Sequence, residues 1–517
     1  MFFIKLTSSF CFAAEPAIFY SDLTSGPNTG GVSNKGVFVT ISGKNFSASR
    51  GSSYVTVGGG QVDNYPVWSD SKIVFQLGSS ATTGNIVVTT SEGSSNAIPF
   101  TVRSGSIYFV DINSPSNPGS GTYSDPWRSP ASFYNTMSAG DTCYIRSGTY
   151  TGRYGHQTAY YNVSFGRNVS GSLNNEIAWV AYPGETVRFE ANTYTGAEGN
   201  FDWYNSSRSY YVVSGFQLYA RYRQCARMSG KNNRFINNDC EGLKTHAYAI
   251  INPVGSNGDK IYGNTLHGST SGNKLDHPLY IGYGTDNFDF GWNHIFNNDV
   301  GVGPLILINQ DYADQNGYRF ENILIHHNII DARMNSKGSV PRALGFGAQA
   351  DGSSAYVYSN IIIEAGGVTK GNSCIYSISG SLYFFNNTIY NAQGFSVFGI
   401  HRNGAYKPEI MWIKNNIITR ESGGNYFSID SQIESASLKI SHNCYYGNGR
   451  GPAVDKEAVN ANPLFVNAPA DLHLKIKSPV IDKGTEAVKK IVVMDLDGAI
   501  RPQGNGFDIG AYEYVNF

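Results

Sequence analysis

The stretch GNKLDHPLYIGYG, residues 272–284, places proton-transferring side chains beside a short apolar run. Lys274, Asp276, His277 and Tyr280 all occur in it. Amines, imidazoles and phenols act as general bases and acids when they lie within hydrogen-bonding reach of a reacting group. The stretch therefore predicts either the working face of an enzyme or one coil of a scaffold that carries polar residues.

Other charged side chains flank the neighbouring apolar runs. Lys244 and His246 precede AYAIINP, Asp311 follows LILINQ, and Arg342 precedes ALGFGA. Taken singly, each has an ordinary explanation, since turn lysines are solvated and a histidine before proline often hydrogen-bonds a turn. Their recurrence at successive apolar runs is what favours a site.

The overall charge excludes some classes of partner. Lys and Arg total 38 and Asp and Glu total 39, which gives a net charge of −1. A nucleic acid or an anionic membrane therefore meets no general basic field, and an anionic substrate must be met by local charge. No later stretch has the roughly 20 apolar residues of a membrane helix. The start, MFFIKLTSSFCFAAEP, predicts a short or truncated secretory signal over 1–14 and a secreted or cell-surface protein.

The composition favours strands and turns. The chain has 59 Gly and 35 Tyr among its 517 residues, and such residues disfavour helix interiors. Residues 15–103 alternate apolar and polar positions in short runs, which predicts a small β-sandwich. The segments VTISGKNFS, VTVGG, SDSKIVFQL and TTSEGSSNAIPFTV resemble the IPT/TIG immunoglobulin-like family. That resemblance implies a module that spaces, docks or binds.

The strongest signal is an internal repeat. An asparagine follows a strand-like run at positions 238, 264, 293, 328, 360, 387, 416 and 443, at intervals of 26 to 35 residues. Each interval is long enough for one coil of three short strands and their turns. A recurring Asn at a turn predicts that its amide hydrogen-bonds its equivalents in the coils above and below.

This repeat resembles the right-handed parallel β-helix of the pectate-lyase-like superfamily, a solenoid wound from one chain. The predicted fold is thus all-β, with the solenoid over 104–517 following the sandwich. A helix over 131–137 would cap its first coil, and a closing segment would use Asp495, Asp497 and Asp508 in turns and caps. The longest intervals place loops at 309–322 and 332–343 that would wall a groove.

One strand of each coil can be aligned, with an inward pair separated by an outward residue. The alignment starts the inward pairs at Ala249, Leu279, Ile306, Leu344, Tyr376, Phe398 and Phe427. The outward positions between the members of a pair then include Tyr280 and Ser377. The outward positions directly after a pair include Asn252, Gly282, Asn309 and Gly347. Small residues there predict an open trough.

The cluster has the residue types that a polysaccharide lyase needs. Such an enzyme neutralises a uronate carboxylate, removes the C5 proton and protonates the leaving oxygen. We therefore assign His277, Lys274 or Lys244 as base, Tyr280 as acid and Arg342 as the carboxylate-binding group. Substrate contacts are assigned to the following: Asp276, Asn252, His246, Asn309 and Asp311. The expected partner is an acidic polysaccharide and the expected state a monomer.

The family resemblance supports this only in part. The coil from Lys274 to Asn298 is similar to the coil that carries a catalytic arginine in alginate and chondroitin lyases of this fold. In this chain Tyr280 of LYIG takes that place, so Arg342 would have to substitute. The acidic cluster that binds calcium in other members has a partial counterpart in Asp239 and Glu241. A calcium ion stays open, and its ligands are unknown.

Two other functions stay open. A glycoside hydrolase needs two carboxylates about 5 to 9.5 Å apart. The candidates are Asp276, Asp311, Glu321, Asp351 and Glu364, although the stacked-aspartate motifs of polygalacturonases are absent. A non-catalytic glycan-binding adhesin would also explain a solenoid joined to an IPT/TIG-like module. The six scattered cysteines predict buried thiols and leave a Cys225–Cys240 bridge open.

Overall fold

The computed structural model describes most of the chain: residues 14–156, 160–191, 199–203, 208–242, 249–269, 275–301, 303–309, 319–333, 340–347, 352–366, 372–403, 406–421 and 423–515. The expected signal segment therefore lies almost wholly outside the described residues. The described chain forms an antiparallel sandwich followed by a solenoid of parallel sheets. This confirms the predicted fold class, a parallel β-helix behind a small β-sandwich.

The N-terminal sandwich has two sheets built from alternating sequences such as FVTISGK, whose buried and half-buried residues alternate. The first sheet runs in the order Ala17–Ser21, Phe38–Lys44, Lys72–Gln76 and Asn64–Trp68. The second runs in the order Ser25–Gly26, Ile98–Val102, Gly84–Thr90, Tyr54–Val57 and Gly60–Gln61, with Gly93–Ser94 beside Gly84–Thr90. A short 3₁₀ turn lies at Val32–Asn34.

Three long parallel sheets of 12, 11 and 10 strands form the solenoid, and each complete coil gives one strand to each sheet. Sheet 1 contains Ile107–Val110, Thr142–Ile145, Ile177–Ala181, Tyr211–Ser214, Arg234–Ile236, Lys260–Tyr262, Asp289–Gly291, Ile323–His326, Ser354–Tyr358, Gly380–Phe385, Pro408–Lys414 and Leu438–Ser441. Sheet 2 contains Gly148–Tyr150, Val187–Ala191, Gln217–Ala220, Asp239–Gly242, Thr265–His267, His294–Ile295, Ile329–Asp331, Ile361–Ile363, Thr388–Tyr390, Ile417–Thr419 and Cys444–Tyr446. Sheet 3 contains Tyr161–Ser164, Gly199–Asp202, Ala226–Lys231, Ala249–Asn257, His277–Ile281, Pro304–Asn309, Arg342–Gly347, Ser373–Ser377, Ser396–Ile400 and Asn425–Ile429.

The predicted asparagine ladder is confirmed. The side-chain oxygen of Asn264 accepts from the backbone N–H of Asn238 at 2.9 Å, and the same contact links all eight positions in turn. At the end, the carboxylate of Asp455 accepts from Asn443. The residue before each ladder asparagine has a left-handed φ between 49° and 65°, even where it is Trp292 or His327. The ladder thus satisfies backbone donors at a strained turn.

A short helix closes the first coil, as expected. It spans Pro130–Thr136, its N-cap Ser129 accepts from the N–H of Ala131, and it buries Phe133 and Tyr134 against the solenoid core. Further 3₁₀ turns lie at Ser435–Ser437 and Glu486–Val488, and the closing segment forms a hairpin of Phe465–Asn467 with Asp471–Leu474. The helix Pro130–Thr136 thereby covers the N-terminal end of the solenoid, which would otherwise expose apolar core.

The N-terminal sandwich is docked on the outer face of sheet 1. The hydroxyl of Tyr144 both donates to the carbonyl of Phe38 at 2.9 Å and accepts from its N–H at 2.7 Å. The guanidinium of Arg234 donates to the carbonyl of Ser21 at 2.6 Å, and the hydroxyl of Tyr20 donates to Asn237. Outward apolar residues of sheet 1, such as Phe109, Val180 and Val212, join the core of the sandwich in one apolar cluster, beside the separate interior core of the solenoid.

The closing segment packs on sheets 1 and 2 of the later coils. Asn386 donates to the carbonyl of Asp508 at 2.9 Å. Asp495 accepts from the N–H groups of Asp497 and Ala499, and Asp508 accepts from those of Asp482 and Tyr514, which confirms both aspartates as turn and cap residues. Asp497 instead pairs with Lys44 of the sandwich and with His473.

Five of the six cysteines lie in the described chain, and all five are buried free thiols. The bridge left open between Cys225 and Cys240 is therefore not formed. Across the described residues, no helix has the length and apolar character needed to cross a membrane.

Candidate functional site

The register of sheet 3 corrects the predicted alignment in two coils. Ile251, not Ala249, stands opposite Leu279, because the strand Ala249–Asn257 begins two residues earlier than the alignment placed it. In the coil Ser373–Ser377, Ile375 stands in the core column, whereas Tyr376 faces outward and Ser377 faces inward. The sequence IYSI allows either alternation, so only the neighbouring strands decide it.

The corrected register defines one outward column along sheet 3. Its members on successive coils are Asp202, Arg227, Asn252, Tyr280, Leu307, Gly345, Tyr376, Gly399 and Ser428. Successive strands lie about 4.8 Å apart. The sandwich docks on sheet 1 and the closing segment on sheets 1 and 2. Among the described residues, the outer face of sheet 3 is therefore the one that neither segment covers.

An arginine–tyrosine patch occupies the first coils of this face; it comprises Tyr160, Tyr161, Arg223, Gln224 and Arg227. The Arg223 guanidinium lies 5.1 Å from the ring centre of Tyr160, and the hydroxyl of Tyr161 donates to Gln224 at 2.5 Å. Burial raises the pKa of Tyr161, while both arginines oppose the shift. Arg227 itself is exposed. The patch offers positive charge and an aromatic face to an anionic ligand.

The middle of the face holds His277, Tyr280 and Asn252. The two rings stack with centroids 5.7 Å apart, and Asn252 donates to the carbonyl of Tyr280 at 2.9 Å. Nδ1 of His277 lies 2.6 Å from the carbonyl oxygen of Pro304. A carbonyl only accepts, so Nδ1 carries the proton and the lone pair of a neutral His277 is on Nε2. His277 is 3% exposed, whereas Tyr280 is half-buried and presents its phenol on the outer face.

Arg342 and Tyr376 occupy the later part of the face. The Arg342 guanidinium donates to the side chain of Asn372 and lies 4.9 Å from the ring centre of Tyr376. A Cβ at Gly345 would lie 2.5 Å from the Tyr376 ring, so only glycine lets that ring lie flat on the sheet. Burial lowers the pKa of Arg342, which nevertheless stays a cation because of its high ordinary value.

The remaining predicted site residues fall into two groups. Lys244, His246, Lys274 and Asp311 lie outside the described residues. Asp276 is 2% exposed. Asn309 is half-buried with its amide oxygen beside Gly347. Among the described residues, sheet 3 thus brings together His277, Tyr280, Asn252, Asn309 and Arg342, with His277 and Arg342 two coils apart in register.

Among the described carboxylates proposed for a hydrolase, only Asp276 adjoins a strand of sheet 3. Glu321 precedes a strand of sheet 1 and Glu364 follows a strand of sheet 2. Asp311 and Asp351 lie outside the described residues. Asp239 and Glu241, the partial counterpart of a calcium site, lie on sheet 2, where Asp239 bonds His267 at 2.9 Å. Within the described ranges, no three His, Cys, Asp or Glu side chains are grouped as a metal site requires.

Sequence reasoning missed Arg227, Arg223 and Tyr376. The signal for the first two was present in RYRQCAR, residues 221–227, where arginines alternate with polar and aromatic residues before a strand. The strand alignment from the sequence starts at Ala249, one coil after these arginines. Tyr376 was assigned to the core by the misplaced register.

One family model and several solved structures are similar to parts of this chain. Residues 24–102 match the IPT/TIG domain model, and they form such a domain. No curated protein sequence matches the chain. Among solved structures, the chain is similar to a pectate lyase (15% identity, TM-score 0.48, covering 79% of this chain and 96% of that one). It is also similar to a rhamnogalacturonan lyase (16%, 0.40, 70% and 90%) and to a Yersinia enterocolitica family 28 exopolygalacturonase (9%, 0.29, 86% and 99%).

Proposed function

We propose that this protein is a secreted or cell-surface polysaccharide lyase that cleaves an acidic, uronate-containing chain by β-elimination on the outer face of sheet 3. One observation carries the proposal: the exposed Arg227, the buried Asn252 and the half-buried Tyr280 occupy successive strands of one outward column. A cation and a phenol are thus presented on one surface about 10 Å apart along the sheet.

The chemistry assigns a role to each group. Arg227 neutralises the carboxylate of the bound uronate, which stabilises the charge that develops when the C5 proton leaves. Tyr280 donates its phenol proton to the leaving oxygen as the C4–O bond breaks, because its phenol is on the open face, and Lys244 or Lys274 accepts the C5 proton. The buried ring of His277 stacks on Tyr280 and is anchored to Pro304, so we assign it as a positioning residue.

The basic residues on this face also fit the substrate. Arg342 lies two coils beyond His277 in register, and its guanidinium is fixed by Asn372 and Tyr376. A chain that carries a carboxylate on several units can contact Arg227 at one end of the face and Arg342 at the other. Lys244 and Lys274 stay candidates for the base in this proposal.

The test is the ultraviolet absorbance of the unsaturated uronate product. Purified protein is mixed with alginate, pectate and glycosaminoglycans, and the variants Arg227→Ala and Tyr280→Phe are compared with Tyr219→Phe on sheet 2. We expect at least one polyuronate to give a rising signal, and the first two variants to lower kcat/KM by about a hundredfold. The Tyr219→Phe control keeps the wild-type rate.

Three other results would contradict the proposal. New reducing ends without absorbance would indicate a hydrolase. Retention of a glycan without any cleavage would indicate a binding protein. Unchanged rates in Arg227→Ala and Tyr280→Phe would remove sheet 3 as the site.

A further inference from the structure

A cavity of about 260 Å³ lies on a different face, between sheet 2 and the closing segment. One wall is an outward column of sheet 2 formed by Tyr390, Thr419 and Tyr446 on three successive coils. The facing wall belongs to the hairpin of the closing segment, where Phe465 packs edge-on against Tyr390 with ring centres 6.2 Å apart. Two tyrosines about 10 Å apart thus border a cleft over a threonine.

Three charged side chains line this cavity: Arg420, Glu421 and Lys475. Glu421 and Lys475 both line the cavity and are exposed. Within the described residues, neither side chain belongs to an ion pair. The guanidinium of Arg420 is fully buried and donates to the carbonyls of Asn425, Gly394 and Gly423 at 2.6 to 2.8 Å. The lining thus carries a formal charge of about +1, but the buried Arg420 is turned to backbone carbonyls. The exposed charges that a ligand meets are one carboxylate and one ammonium, beside the hydroxyls of Tyr390, Thr419 and Tyr446.

These features define the kind of ligand. Tyr446 is 42% exposed, so part of its ring is open to a ligand at the edge of the cavity. Aromatic walls with a few polar groups are typical of small-molecule sites, and cavities for drug-sized ligands span about 300 to 1,000 Å³. This one admits a smaller ligand. A neutral sugar offers apolar ring faces to the tyrosines and hydroxyls to Glu421, Lys475 and Thr419.

We propose that this cavity binds a single neutral sugar unit of a polysaccharide, on sheet 2 and separate from sheet 3. The site would hold a chain end or a side branch. The inference does not depend on the proposed cleavage, since it rests on different residues, a different sheet and a ligand of different charge.

Titration calorimetry with free glucose, galactose, mannose, xylose and rhamnose tests the proposal, with galacturonic acid as the charged comparison. We expect at least one neutral sugar to bind the full-length protein and galacturonic acid to bind more weakly. Tyr446→Ala should lower the affinity by about tenfold, while Tyr446→Phe, which keeps the ring, should retain most of it. Ile476→Ala is the matched control, since Ile476 is 66% exposed and directly follows Lys475.

The combined variant Arg227→Ala, Tyr280→Phe separates this inference from the proposed lyase. It should lose cleavage and keep sugar binding. The inference is overturned if no neutral sugar binds, if galacturonic acid binds best, or if Ile476→Ala lowers affinity as much as Tyr446→Ala. Loss of sugar binding in the combined variant would overturn it as well.

Discussion

Asp259 is a carboxyl group buried inside a turn of the solenoid. Its oxygens accept from the N–H of Asn233 at 2.7 Å and from the hydroxyl of Ser256 at 2.9 Å. Burial outweighs these hydrogen bonds and raises its pKa from 3.8 to about 7. The folded chain therefore holds this proton more tightly than the unfolded chain does.

This shift predicts a pH dependence of stability. Between about pH 4 and pH 7 the unfolded chain releases the proton first, so the free energy of unfolding falls as pH rises, by at most about 1.4 kcal/mol per pH unit. Asp259→Asn cannot ionise, and we expect a smaller loss of stability between about pH 5 and pH 8. Urea unfolding at about pH 5 and about pH 8 measures this loss of stability in both proteins.

Asp63 provides the matched control for that measurement, because its side chain is 73% exposed and lies in the sandwich. Asp63→Asn should keep the wild-type difference between the two pH values. If Asp259→Asn also keeps it, the buried carboxyl is not the source of the pH dependence.

How much of the site could be predicted differs from residue to residue. His277 and Tyr280 were proposed from the sequence because their types and proximity stand out in a single stretch. Arg227 and Tyr376 were not, because their importance depends on which strands are neighbours and on the face each residue takes. A side chain's face changes with a register slip of one residue, and the sequence of one strand does not fix that register.

The asparagine ladder is the element that holds successive coils in register. Asn328 is fully buried. Its side-chain oxygen accepts from the N–H of Asn293, and its amide donates to the carbonyl of Phe290 and to Asn360. In Asn328→Ala the buried N–H of Asn293 loses its acceptor, and we expect a loss of about 2 to 3 kcal/mol. Denaturant unfolding gives the value.

Asn425 provides the control for Asn328→Ala, since it is an exposed asparagine on a strand of sheet 3. Asn425→Ala should change stability by less than about 0.5 kcal/mol. Equal losses in the two variants would mean that the ladder contributes nothing beyond an ordinary asparagine.

The fold was predictable because the ladder requires an asparagine at a regular interval in the sequence. A buried amide that pairs with the next coil must recur once per coil, so its spacing reports the length of every coil. The loops between coils obey no such constraint. The repeat therefore predicts the number of coils, but it does not predict which side chains lie on the outer face of sheet 3.

At the scale of the whole molecule, the sandwich and the solenoid share one apolar cluster. Tyr144 is fully buried at this contact and bonds both backbone groups of Phe38. Domain interfaces that are large and apolar prevent independent motion. We expect calorimetry to show one thermal transition, and Tyr144→Ala to split it in two. Tyr123→Ala, at a 41% exposed tyrosine, should leave one transition. Two transitions in the wild type would contradict the shared core.

The closing segment also constrains the number of coils that it spans. It reaches across three coils, since Met494 contacts Ser359, Asp508 contacts Asn386 and Thr485 contacts Asn415. Its Asp497 then pairs with Lys44 of the sandwich. A repeat protein can gain or lose whole units, because each unit contacts only its neighbours. Here the coils of Ser359, Asn386 and Asn415 all bond to one closing segment of constant length, which acts as a strap across them. Duplication of one coil would pull the strap out of register, so we expect this lineage to vary its loops and keep its coil number.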